Sequence, residues 1–116
     1  ITKYVNRGKD SSIKGNLSTE QINAATYVDA NTGGNGTPYN NFCVSDLVTN
    51  PADAITRAGG TPICITNTGN TQWCSCSTLK VTANDTFCVD WKGTKKQAVN
   101  AGGCAAVCSA TTATCS

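Results

Sequence analysis

The apolar residues of the first thirty positions recur at helical spacing, in a stretch with no cysteine, proline or paired glycine. Ile13, Leu17, Ala24 and Val28 fall within one stripe of a 3.6-residue helix, with Tyr27 at its edge. The pattern predicts a helix over residues 1–30, packed through this stripe. Its exit is marked by Asn31-Thr32-Gly33-Gly34-Asn35-Gly36-Thr37-Pro38, which supplies left-handed residues and then one without an amide donor. Such a helix is about 45 Å long, whereas a domain of this size is about 26 Å across, so part of it should project. At 100° per residue, Tyr4 and Ile22 lie about 180° from Ile13, and Ile1 is on the same far side. A helix apolar on its outer face as well needs a second partner, which makes Ile1, Tyr4 and Ile22 the candidate assembly face.

Beyond the glycine loop, Asn50 suits an N-cap, Pro51 a first helical position and Asp53 the positive helix end, and Gly59-Gly60 stops the element. From Pro62 the period changes to two. Residues 63–66, 72–80 and 86–91 read as strands, separated by Asn67-Thr68-Gly69-Asn70 and Ala83-Asn84-Asp85. In the middle strand Trp73, Ser75, Ser77 and Leu79 point one way and Cys74 and Cys76 the other. In the next, Phe87, Val89 and Trp91 oppose Cys88 and Asp90. Pairing the apolar faces puts Cys88 on the side of Cys74 and Cys76, with one of them in reach. The small, polar residues 98–116 read as loop or edge strands tied down by their own bridges. The expected fold is a single α+β domain, a long N-terminal helix on a small antiparallel β-sheet. Its parts are the helix (1–30), a loop with a short helix (31–61), the sheet (62–97) and a tail (98–116).

Eight cysteines and no histidine in 116 residues change the picture. Cys43, Cys64, Cys74, Cys76, Cys88, Cys104, Cys108 and Cys115 form an even set at a density that persists as structure only when oxidised. Mixed Cys/His zinc sites are excluded, and the spacings do not form two Cys-x-x-Cys knuckles. Cys43 with Cys64, enclosing the short helix, is the first pairing expected. With few aromatic residues and many small polar ones, the chain buries a modest core, and bridges worth ~2–5 kcal/mol each supply the remaining stability. The net charge of +2 is close to balanced. Nucleic acid is a possible partner that the sparse basic residues do not support. No histidine-based nucleophile exists, and the seven carboxylates are scattered, so no enzyme and no cofactor is expected. Asp85 and Asp90 flank a turn where a loop calcium is conceivable, although Asp in turns more often caps backbone. Asn16, Asn35 and Asn84 begin Asn-x-Ser/Thr patterns at close to chance frequency. No apolar run approaches the ~20 residues of a membrane span. An oxidised chain beginning at Ile1 implies a removed targeting segment.

Several blocks occur in a familiar order. The run Asp10-Ser-Ser-Ile13-Lys14-Gly15-Asn16-Leu17-Ser18, then Ala24-Ala25-Thr26-Tyr27, a glycine-rich loop and Tyr39-Asn-Asn-Phe42-Cys43 resembles the helix and first loop of short bacterial type IV pilins. Trp73, Leu79, Phe87-Cys88-Val89-Asp90 and Gly93-Thr94 resemble blocks of the same proteins' sheet, so the likeness covers residues 1 to about 97. It implies a subunit of a type IV pilus or pseudopilus, displayed outside the cell and assembling with copies of itself with the help of pilus assembly machinery. The resemblance further implies a membrane-anchoring apolar half-helix before Ile1. The cysteine-rich tail departs from the family pattern, so pairings are not carried over. The alternative is a free secreted disulfide-rich module acting as a binder or inhibitor.

Overall fold

The computed structural model describes residues 2–30 and 36–116; Ile1 and the helix-exit residues 31–35 lie outside them. Helix α1 spans Thr2–Ala30. A short 3-10 turn, Phe42–Val44, leads into α2, Asp46–Arg57. Four strands follow: β1 Pro62–Thr66, β2 Trp73–Thr78, β3 Asp85–Asp90 and β4 Lys95–Val99. They form an antiparallel meander in chain order. The tail carries one helical turn, α3, Cys104–Val107. The fold class is therefore α+β, with a long N-terminal helix on a four-stranded antiparallel sheet.

Three of the four residues of the expected stripe are buried, Ile13, Leu17 and Ala24, which enter a core with Phe42, Val48, Ile55, Trp73, Leu79 and Val89, while Val28 is half-buried outside that core. Tyr27 packs at its margin and its hydroxyl donates to the Asn40 carbonyl. The first two turns of α1 stay largely exposed. The molecule extends 50 × 24 × 19 Å, so the helix projects as its length requires.

Helix α2 begins at Asp46, five residues before the expected first position at Pro51, and Pro51 is inside it. A proline there lacks the amide that would bond the carbonyl of Leu47. That carbonyl instead accepts from the Asn23 side chain of α1 at 2.8 Å, so the longer helix rests on a tertiary contact. Its end follows the sequence: the Gly60 amide donates to Ile55 and the Gly59 amide to Thr56, with Gly59 at φ 95°. Gly60 also sits where α2, α1 and β2 converge. A β-carbon there would lie 2.5 Å from Ser77 Oγ and 2.8 Å from Ile55 Cγ2. Gly60→Ala is expected to cost about 1–3 kcal/mol by overpacking, read as a lower denaturant midpoint with unchanged slope.

Both faces of the sheet are covered. Trp73, Ser75, Ser77 and Val89 face α1, and Cys74, Cys76 and Cys88 on the opposite face join Val107, Cys108, Ala113 and Cys115 of the tail in a second cluster. Cys43 bridges Cys64 as expected. The expectation that Cys74 or Cys76 reaches Cys88 is overturned. Cys88 does lie opposite Cys76 in the ladder, but it bridges Cys115, while Cys74 bridges Cys108 and Cys76 bridges Cys104. The tail's bridges are thus made to the sheet and not within itself, because its three sulfurs lie against the face that carries the other three. Two further corrections concern the sheet's far end. Residues 95–99 add a fourth strand, and β3 stops at Asp90, so Trp91 is partly exposed and its indole N–H donates to Thr114 of the tail at 3.1 Å.

Candidate assembly face and its flanks

Tyr4 and Ile22 remain uncovered, 75% and 70% exposed. They are 18 residues apart on α1, a whole number of helical turns, so they share one azimuth at about 27 Å separation. Gly8 and Gly15 lie between them near that azimuth, and a β-carbon added at either would meet nothing within 4 Å. The Arg7 guanidinium sits over the Tyr4 ring, 5.6 Å from its centroid. Ile1, the third expected member, lies outside the described residues. Glycine inside a helix costs about 0.5–1 kcal/mol relative to alanine. Gly8→Ala and Gly15→Ala are each expected to stabilise the isolated domain by about that amount, a gain measurable by chemical denaturation.

Two flanks border this face. On one, the Lys14 ammonium donates to Gln97 of β4 at 3.1 Å, and Arg7, Ser11, Lys14, Thr82 and Gln97 line a groove of about 330 Å³. On the other, Asn16, Thr19, Asn23, Asp46, Leu47 and Pro51 line a groove of about 370 Å³ between α1 and α2. A third groove of about 350 Å³ lies near the end of α1, among Gln21, Ala25, Tyr39, Trp73, Trp91 and Lys92. The Gln21 amide spans the Asp90 and Thr94 carbonyls there, at 3.1 Å each.

Of the buried carboxylates, Asp85 and Asp90 play the backbone-capping role that aspartates in turns more often have, whereas the structural role of Asp10 and Glu20 had no place in the sequence reading. Asp10 Oδ1 accepts from the Lys80 amide at 2.5 Å and Oδ2 from the Val81 amide at 3.3 Å, which docks the β2–β3 loop on α1. Asp90 accepts from the amides of Lys92 and Thr94 through Oδ1 and of Cys115 through Oδ2, all at 3.0 Å. Asp85 accepts from the Thr86 amide and from the Gln97 side chain. The oxygens of Asp85 and Asp90 thus face donors, the arrangement of a backbone cap. Among the described residues, no group of three His, Cys, Asp or Glu is placed to hold a metal ion.

Glu20 differs from these. It is fully buried on the docking stripe, and among the described residues neither carboxyl oxygen has a hydrogen-bond partner; the Trp73 indole N–H, also buried, likewise has none there. Burial pushes the Glu20 carboxyl up to about 7, and the nearby Ser75 hydroxyl opposes that rise only in part. The Ser75 proton goes to the Ile63 carbonyl at 3.0 Å, so little is left for the carboxylate. A signal was available: Asp10 and Glu20 fall at helical spacing on the same stripe as Ile13, Leu17 and Ala24.

No described helix is long and apolar enough to cross a membrane. All eight cysteines are bridged, which fits an oxidising, extracytoplasmic compartment. Compared with protein families, curated proteins and solved structures, the chain matches none of them.

Proposed function

We propose that this chain is the disulfide-stapled, extracellular domain of a type IV pilin-like filament subunit, assembling with copies of itself through the outer face of α1. The observation that carries the reading is the projecting helix with Tyr4 and Ile22 exposed on one azimuth and two open glycines between them. A helix that presents apolar groups on both faces needs two partners, and the domain supplies one. The long helix on an antiparallel meander agrees with the resemblance carried by the sequence blocks. Tyr4→Asp/Ile22→Asp is expected to leave the unfolding transition within about 0.5 kcal/mol of wild type, since neither side chain is buried. The same variant should lose self-association in sedimentation and fibre yield in electron microscopy. Wild-type yield from it removes the reading.

A second reading rests on the aromatic groove of Tyr39, Trp73 and Trp91, where a free binding module would seat its ligand. It predicts a monomer at all concentrations.

A further inference from the structure

Six cysteines lie together where the tail covers the sheet: Cys74, Cys76 and Cys88 on the strands, with Cys104, Cys108 and Cys115 over them. Of the strand cysteines in the β2–β3 ladder, Cys76 and Cys88 stand opposite each other, whereas Cys74 faces Asp90. The Trp91 amide donates to the Trp73 carbonyl and the Leu79 amide to the Asp85 carbonyl, both in register with this ladder. Hydrogen-bonded and non-hydrogen-bonded pairs alternate along antiparallel strands. Cys76 and Cys88, three steps from each of those pairs, are therefore a non-hydrogen-bonded pair. Such partners hold their α-carbons about 4.5 Å apart, inside the range of about 4.4–6.8 Å that a disulfide spans. Each is bridged instead to a tail cysteine nearer the surface: Cys104 is 7% and Cys115 9% exposed, against 0% for the other four of the cluster.

We propose that Cys76, Cys88, Cys104 and Cys115 form a thiol-exchange site, which a dithiol reductant converts from two sheet-to-tail bridges into one cross-strand bridge. A thiolate of the reductant attacks Cys104, forming a mixed disulfide and expelling the Cys76 thiolate. Cys76 attacks Cys88, forms the cross-strand bond and expels the Cys115 thiolate. The reductant's second sulfur then attacks the mixed disulfide, which frees Cys104 and closes the reductant's own disulfide. Two electrons pass from the dithiol to the protein, its two protons end on Cys104 and Cys115, and four bridges become three. Entry at Cys115 reaches the same product, with Cys88 attacking Cys76 and expelling Cys104. The internal step carries negative charge from a fully buried sulfur to one at the margin of the cluster. That lowers its desolvation cost and makes the departing thiolate the better leaving group. Strands β2 and β3 stay tied, and only Cys74–Cys108 still ties the tail. Reduction thus uncovers part of the sheet's second face without unfolding the domain, whether or not copies assemble.

The test is brief treatment of the folded wild-type chain with dithiothreitol at about pH 8, where thiolate is present, followed by acid quench and alkylation of free thiols. Full reduction, a second, isotopic alkylation and tandem mass spectrometry then locate each label. In the species with two free thiols, first label on Cys104 with Cys115 is expected in about 10-fold excess over label on Cys76 with Cys104 or Cys88 with Cys115. A neighbour held in contact outcompetes a second external thiol. Excess of either of those plain reduction products, or of label on Cys74 with Cys108, overturns the proposal. So does the absence of any two-thiol species before all six cysteines react. Cys104→Ser gives a second measurement that needs no reductant: its single free thiol is expected at Cys115, Cys76 having exchanged onto Cys88. In Cys108→Ser the thiol should stay at Cys74, which has no cysteine opposite it. A thiol that stays at Cys76 in the first variant, or leaves Cys74 in the second, overturns the role of the cross-strand pair.

Discussion

Wild-type protein is expected to lose about 3 kcal/mol of stability between about pH 4 and about pH 8.5 relative to a Glu20→Gln variant. Burial holds the native carboxyl at about 7 against an ordinary value of 4.5. The folded state therefore binds more protons than the unfolded state between these values, and stability falls as pH rises through that window. Below the unfolded value both states are protonated and the contribution is fully present; above the native value it is gone. Gln keeps the shape and cannot ionise, so the comparison cancels every other titrating group. Denaturant melts of both proteins across the range would check it. Parallel stability profiles would mean that Glu20 does not carry this penalty.

The second large effect lies in the tail. Cys88→Ala/Cys115→Ala is expected to destabilise the domain by about 3–4 kcal/mol, the loop-closure value for a bridge across 27 residues. The Cys115 amide still has Asp90 as its acceptor, so the tail end keeps one anchor and should fray before the sheet does. Limited proteolysis should accordingly cut the variant first after α3, with the other three bridges intact. Cleavage beginning in β1 or β2 would show that the bridge supports the sheet itself.

The sequence carried much of this architecture because its signals are local. The spacing of Ile13, Leu17 and Ala24 defined the docking face of α1, Gly59-Gly60 stopped α2, and alternation around Trp73 and Val89 sorted the sheet's two faces. The uncovered azimuth of Tyr4 and Ile22 follows from the same arithmetic. The start of α2 was not legible, because Pro51 signals a helix beginning whenever only its neighbouring residues are considered. Asn23, distant in sequence, supplies the donor that lets the helix run through it.

Disulfide connectivity divides along the same line. Cys43–Cys64 closes a short segment whose ends are held by the helix between them. The other three bridges depend on which tail residue folds over which point of the sheet. Cys76 stands directly opposite Cys88 and still bridges Cys104. The buried acids show the same dependence. Asp10, Glu20 and Asp90 look alike as letters, but Asp10 and Asp90 meet two and three backbone amides while Glu20 meets none among the described residues. Periodicity and turn chemistry determined by themselves which elements form and which faces they bury, since both act within a few residues. Only the tertiary structure decided which sulfurs meet, which proline is tolerated and which carboxyl is left without a partner, since those depend on groups brought together from far apart in the chain.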